Sequence, residues 1–315
     1  MGDITSLVNT VITLFIIVLV SYTACKLKLI DQTFTKGFSS FIIFVAQPFM
    51  IMNALSEVEY SKENLISGFT VTGIGFAVTA ISAIIAFFAV RAFSSLDEKK
   101  IGQFGLIFAN AGFMGIPVLK AAFGEIGAFY GAFFQITFHL TLWTYGMFIL
   151  SRKRSDIKFK PLNMLLNFGT VPVILGIILY VLPFDLPAPV TMTMTMLSSV
   201  CAPGSMVIVG SILATIPLKS LFTDWKVYYI AAIKLIALPA VICGLSVLVG
   251  LSQEFVYLFT LLSALPTATN CAMYAQKYEI APQYGAKLAS FTTVFSMATV
   301  PLMMYLAGLL LSLRT

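Results

Sequence analysis

The 315-residue chain is 59% hydrophobic and only 10% charged, with a net charge of +6 and a single histidine. Soluble domains carry about 25% charged residues, and a mean hydropathy of +0.97 is more apolar surface than a water-facing fold of this size can hide. That excludes a soluble enzyme or a nucleic-acid binder and points to an all-α polytopic membrane protein.

A spanning helix needs roughly 20 apolar residues, and ten such stretches follow one another. The first, 4–25, lacks the basic region and cleavage site of a secretory signal and is expected to be retained. The second, 38–56, contains Pro48 flanked by Gln47 and Asn53; packing is the favoured reading for both amides, a solute path the other. After the third, 65–90, the fourth, 101–120, reads FANAGFMGIPVL over Phe108–Leu119, gathering Asn110, Gly112, Gly115 and Pro117. The fifth, 126–151, places Gln135 and His139 four apart, on one helix face. Such a pair contacts a solute or stabilises packing, and His139 is a candidate proton carrier because imidazole titrates near neutrality.

The basic run SRKRSDIKFK, Ser151–Lys160, is expected to be a linker (152–160) between halves 1–151 and 161–315. The sixth span is 161–183; the seventh, 189–214, contains Pro203. The eighth, 227–250, contains Lys234, about 10 Å deep at a 1.5 Å rise. Snorkelling or a structural pair is the expectation there, with an anion- or ion-coupling role as the sharper alternative. The ninth, 255–276, reads SALPTATNCAMY and carries Pro266, Thr267, Thr269 and Asn270; the tenth is 287–313. The four cysteines lie in or beside these stretches without metal-like spacing and read as small packing residues.

Of the 19 Lys and Arg residues, 15 fall in the loops after the odd-numbered spans and three in the remaining loops and tail. The positive-inside rule then puts the odd loops in the cytoplasm and both termini outside. The octet EIGAFYGA (Glu125–Ala132) returns as EIAPQYGA (Glu279–Ala286), 154 positions on, and the pairs Pro48/Pro203 and Pro117/Pro266 keep offsets of 155 and 149. Five spans per half make the second copy enter from the opposite side, so an inverted repeat is expected.

Glycine and proline at matched places in spans four and nine make both helices breakable, although such residues also merely kink membrane helices. Broken ends meeting at mid-bilayer would present two helix N-termini, each with roughly half a positive charge and unpaired N–H donors, to a carboxylate. Asn110 and Asn270 would add side-chain donors. No zincin, P-loop or nucleophile-elbow motif is present, so no enzyme and no cofactor are expected; coupling to sodium or protons stays open, as does a channel or receptor.

Asn110-Ala111-Gly112-Phe113-Met114-Gly115-Ile116-Pro117 resembles the fourth-span signature of the auxin efflux carrier family, and Ala264-Leu265-Pro266 with Ala275-Gln276-Lys277-Tyr278 resembles its ninth. The resemblance covers essentially the whole chain. It implies a scaffold of spans 1–2 and 6–7, a transport domain of spans 3–5 and 8–10, elevator-type motion and a homodimer. It also implies that Asn110 and Gln135 contact the substrate, with Pro117 and Pro266 at the crossover. Asn270 is placed by location alone. The short central loop points to a microbial member in the plasma membrane, carrying a small organic anion such as a mono- or dicarboxylate.

Overall fold

The computed structural model describes residues 4–154, 167, 169–182, 186–217 and 224–313. Among them lie twelve helices: α1 (Ile4–Lys26), α2 (Gln32–Ser56), α3 (Lys62–Ala89), α4 (Leu96–Ile107), α5 (Ala111–Phe123), α6 (Glu125–Ser151), α7 (Thr170–Val181), α8 (Ala188–Thr215), α9 (Trp225–Leu248), α10 (Gln253–Ala264), α11 (Thr269–Lys277) and α12 (Pro282–Ser312). The described residues contain no strand, only one isolated antiparallel bridge.

Seven of these helices are long and apolar enough to cross a membrane: α1, α2, α3, α6, α8, α9 and α12. Where ten spans were expected, the fourth occupies α4 and α5 and the ninth α10 and α11, each in two shorter pieces. The sixth falls on α7 and on residues 161–166, which lie outside the described residues, as does the linker from residue 155.

Helix starts follow ordinary capping chemistry. Asp31, Ser61, Ser95, Asp224 and Ser252 each accept a backbone N–H of the first turn that follows. Within the helices, three π turns share a cause. Ile42–Ala46, Ala111–Gly115 and Ile233–Ala237 each end two residues before a proline, Pro48, Pro117 and Pro239. A proline cannot donate to the carbonyl four residues back and its ring crowds that carbonyl. Widening the preceding turn relieves the clash, and the residue before the proline donates one position further back, Gln47 to Ile42 and Leu238 to Ile233.

The helices pack in two groups. In one, α8 lies along α1 and α2, and α7 packs on α2; in the other, α3 packs on α6 and α4, α5 on α6, and α10 and α11 on α12. The α1–α8 contact is backbone-close at Gly210, where an added β-carbon would collide with the Val18 carbonyl. Beside it, Ser21 Oγ donates to the Val207 carbonyl at 2.6 Å and lies 3.1 Å from Ser211 Oγ. Small residues and interhelical hydrogen bonds of this kind hold membrane helices together where lipid removes the hydrophobic drive. The groups meet where α1 and α8 pack on α5 and α12, and where α2 and α7 pack on α6.

Candidate functional site

Helix α4 stops at Ile107, the chain runs extended through Phe108 and turns at Asn110, and α5 begins at Ala111. Helix α10 stops at Ala264, Leu265 and Ala268 are extended, and α11 begins at Thr269. The two interruptions lie side by side as an antiparallel bridge between Ala109 and Thr267. The Asn110 N–H donates to the Pro266 carbonyl at 2.8 Å, and the Ala268 N–H donates to the Phe108 carbonyl at 2.9 Å. An unpaired backbone group in hydrocarbon costs several kcal/mol, and here each interruption supplies the other's partners.

Side chains complete the seam. Thr267 donates its N–H to Thr292 Oγ1 at 3.1 Å and its hydroxyl to the Gly105 carbonyl at 3.0 Å. At Gly115 a β-carbon would come within 2.9 Å of Leu265 Cδ1, so this glycine lets the two interruptions close on each other. Pro266 sits inside its interruption, whereas Pro117 lies beyond the π turn, seven residues after Asn110. The fourth span therefore parts before its glycines and proline, and Pro117 shapes the π turn rather than the gap.

Polar atoms gather on the side where α5 and α11 start. Among the described residues, the backbone N–H groups of Gly112, Phe113, Thr269 and Asn270 have no acceptor, as the first donors of a helix do not. Asn110 Nδ2 lies 3.5 Å from Thr269 Oγ1, and both residues are buried. Gln135 is completely buried, and neither atom of its amide has a partner. A β-carbon at Gly112 would stand 3.1 Å from Gln47 Nε2 and 3.5 Å from Gln135 Oε1, so the bare glycine leaves room between two amides. Asn270 is half-buried at the same helix start. Asn110, Gly112, Gln135, Thr269 and Asn270 thus gather at or beside the two helix starts, and Thr267 serves the seam. Gln47, read in the sequence as packing, joins the group from α2.

His139 and Lys234 lie elsewhere. His139 packs edge-on to Phe138 and against Gly169, just before α7, with both ring nitrogens unpartnered. Lys234 is only 1% exposed, which corrects the expectation of snorkelling. Its π turn directs it inward to a cavity of about 20 Å³ lined by Phe108, Ala109 and Ser263, where α4 and α10 end, and by the hydroxyl residues Thr79, Ser82 and Thr141. Helix C-termini carry partial negative charge, so a lysine suits that side as an anion suits the other.

The family model described as "Membrane transport protein" matches residues 6–304. The chain belongs to this family, which is that of the auxin efflux carriers. It is an integral membrane transport protein and not an enzyme. Among its relatives is a protein of Rhizobium meliloti (strain 1021) named as a candidate malonate transporter, 26% identical over 277 residues, 85% of each chain. An uncharacterized transporter of Methanocaldococcus jannaschii is 24% identical over 303 residues, 93% of this chain and 96% of that one.

Proposed function

We propose that this protein is a secondary transporter of a small organic anion, a mono- or dicarboxylate, held where α5 and α11 begin. One observation carries the reading: two interrupted helices joined back to back, with four N–H donors unfilled and the Gln135 amide buried without a partner. A buried unsatisfied amide costs about 1–3 kcal/mol, and a carboxylate would meet both it and the helix N-termini. The malonate named for a relative is a dicarboxylate of suitable size and charge.

In this reading the chain crosses the bilayer ten times, as two inverted halves, 1–151 and 161–315. The group formed by α1, α2, α7 and α8 is the scaffold, and the other group moves against it in a homodimer. Among the described residues, the buried polar set contains no carboxylate. A coupling proton or sodium would then rest on neutral oxygens, His139 or Lys234.

The purified protein in liposomes tests the assignment with labelled malonate and malate under imposed sodium, proton and voltage gradients. Hydrogen bonds to a charged ligand are worth about 1.5–3 kcal/mol, so Asn110→Ala should lower saturable uptake by about tenfold or more. Unchanged uptake and binding in that variant would remove the site.

A further inference from the structure

We infer that α3 and α6 form a binding site for one anionic phospholipid in the leaflet facing the basic loops. A groove of about 540 Å³ runs between the two helices, walled by Phe76, Ala83, Phe87 and Phe88 on α3 and by Thr141 and Tyr145 on α6. Its α3 residues recur every three or four positions from Phe76 to Phe88. Twelve residues at 1.5 Å each span about 18 Å, close to the roughly 15 Å of one leaflet's hydrocarbon. The groove therefore has the length of an acyl chain lying along the membrane normal.

A cation waits at its mouth. Arg91 follows one turn after Phe88, and its guanidinium carbon lies 4.8 Å and 4.7 Å from the ring centroids of Phe87 and Phe88. Stacking fixes the guanidinium plane and leaves its edge N–H groups for a planar anion such as phosphate. The carboxylates that follow in the chain are already taken: Asp97 lies 3.5 Å from Lys100, and Glu98 lies 2.6 Å from Lys226. Arg91 itself makes no ion pair among the described residues. On the opposite wall, Gln103 donates to the Tyr145 hydroxyl at 3.2 Å and accepts from Arg152 at 2.6 Å, which holds that phenol in place with its own proton free to donate. An apolar trough one leaflet long, ending in an unpaired stacked arginine and a braced tyrosine, fits a lipid with a net negative phosphate headgroup better than a zwitterionic one.

Native mass spectrometry of the full-length protein, released from micelles with phosphatidylglycerol and phosphatidylcholine in equal amounts, tests this. A juxtamembrane cation contributes about 1 kcal/mol toward anionic lipid, so the wild type should retain phosphatidylglycerol about fivefold over phosphatidylcholine. Arg91→Gln should abolish the preference while Arg91→Lys keeps part of it, and Ala83→Trp, which fills the trough, should cut retention of both lipids. A preference undiminished in Arg91→Gln overturns the site, as does full retention in Ala83→Trp. Stabilisation by inorganic phosphate equal to that by phosphatidylglycerol would mean a bare anion site. A dimer lost in Ala83→Trp would mean the groove faces a second copy; either result overturns the lipid assignment.

Discussion

Gln135 is the residue where fold and function ask for different side chains. Its amide is fully buried with no hydrogen-bond partner, so replacing it with an apolar group of similar shape removes a penalty rather than a contact. Gln135→Leu should melt at the same temperature as the wild type or higher, and should lose carboxylate-dependent stabilisation; a lower melting temperature with stabilisation intact would make Gln135 structural. Thr292 is the converse. It accepts the N–H of Thr267 at 3.1 Å inside the seam, and Thr292→Val leaves that donor buried and unfilled at about 1–3 kcal/mol. Thr292→Ser keeps the acceptor, so thermal unfolding should separate the two variants. At this scale the sequence was informative where a polar residue interrupts an apolar run, as with Asn110, Gln135 and Thr269. It was silent where the signal is a meeting of distant residues. Nothing near Thr292 marks it as the partner of a residue 25 positions away, and Gln47 gains meaning only because α2 brings it to Gly112.

Among the elements, hydropathy located the helical segments, but the joints between and within them depended on pairing. Glycine and proline in FANAGFMGIPVL drew attention to Gly112–Pro117, yet the chain opens earlier, at Phe108–Asn110, because there its backbone can pair with Leu265–Ala268. Periodicity cannot register such cross-chain partners. The same holds at the opposite ends of α2, α5 and α6, where Lys120 Nζ lies 2.8 Å from Glu57 Oε2 and 2.7 Å from Glu125 Oε2. Asn53 donates to Glu57 at 2.7 Å and accepts from Thr195 of α8 at 3.2 Å. This cluster ties the two helix groups together. Burial pushes the Glu57 carboxyl up, but hydrogen bonds with Glu125 and Lys120, the Lys120 charge and Asn53 outweigh it and hold it below the ordinary carboxylate value. A lowered carboxyl stabilises the fold fully above its unfolded value and loses that contribution as pH falls through the folded one. Wild type should therefore exceed Glu57→Gln by about 0.5–1 kcal/mol at neutral pH, the range for a partly exposed pair, and the gap should close as acid takes the pH down through the lowered carboxyl value. A gap that persists in acid would assign the stabilisation to something other than the charge.

Taken whole, the molecule is closed at one end and open at the other. The Lys120 cluster joins the helix groups on the side away from the basic loops. On the basic side, a cavity of about 510 Å³ separates α2 and α8 from α11 and α12, lined by Gln32, Thr215, Met273, Gln276, Gln283 and Lys287. Met273 stands one turn past Thr269 on α11, so the cavity leads along that helix toward the unfilled N–H donors. Under the proposed alternating-access cycle, with the basic loops in the cytoplasm, this cavity would be the cytoplasm-facing half, and the Lys120 cluster would have to part for the other half to form. A single cysteine reports the difference. Cys201, Cys243 and Cys271 are buried and Cys25 is partly exposed, so Met273→Cys in a Cys25→Ser background offers one reactive thiol. A membrane-impermeant maleimide should label it from the side of the basic loops in inverted vesicles and slowly or not at all in right-side-out ones. Adding Lys120→Met, which frees the outer cluster, should raise the population of the opposite state and slow labelling from the basic side, and saturating malonate should slow it further by occupying the helix starts. Labelling only from the opposite side would reverse the orientation, and rates indifferent to Lys120→Met would leave the cluster no part in the movement.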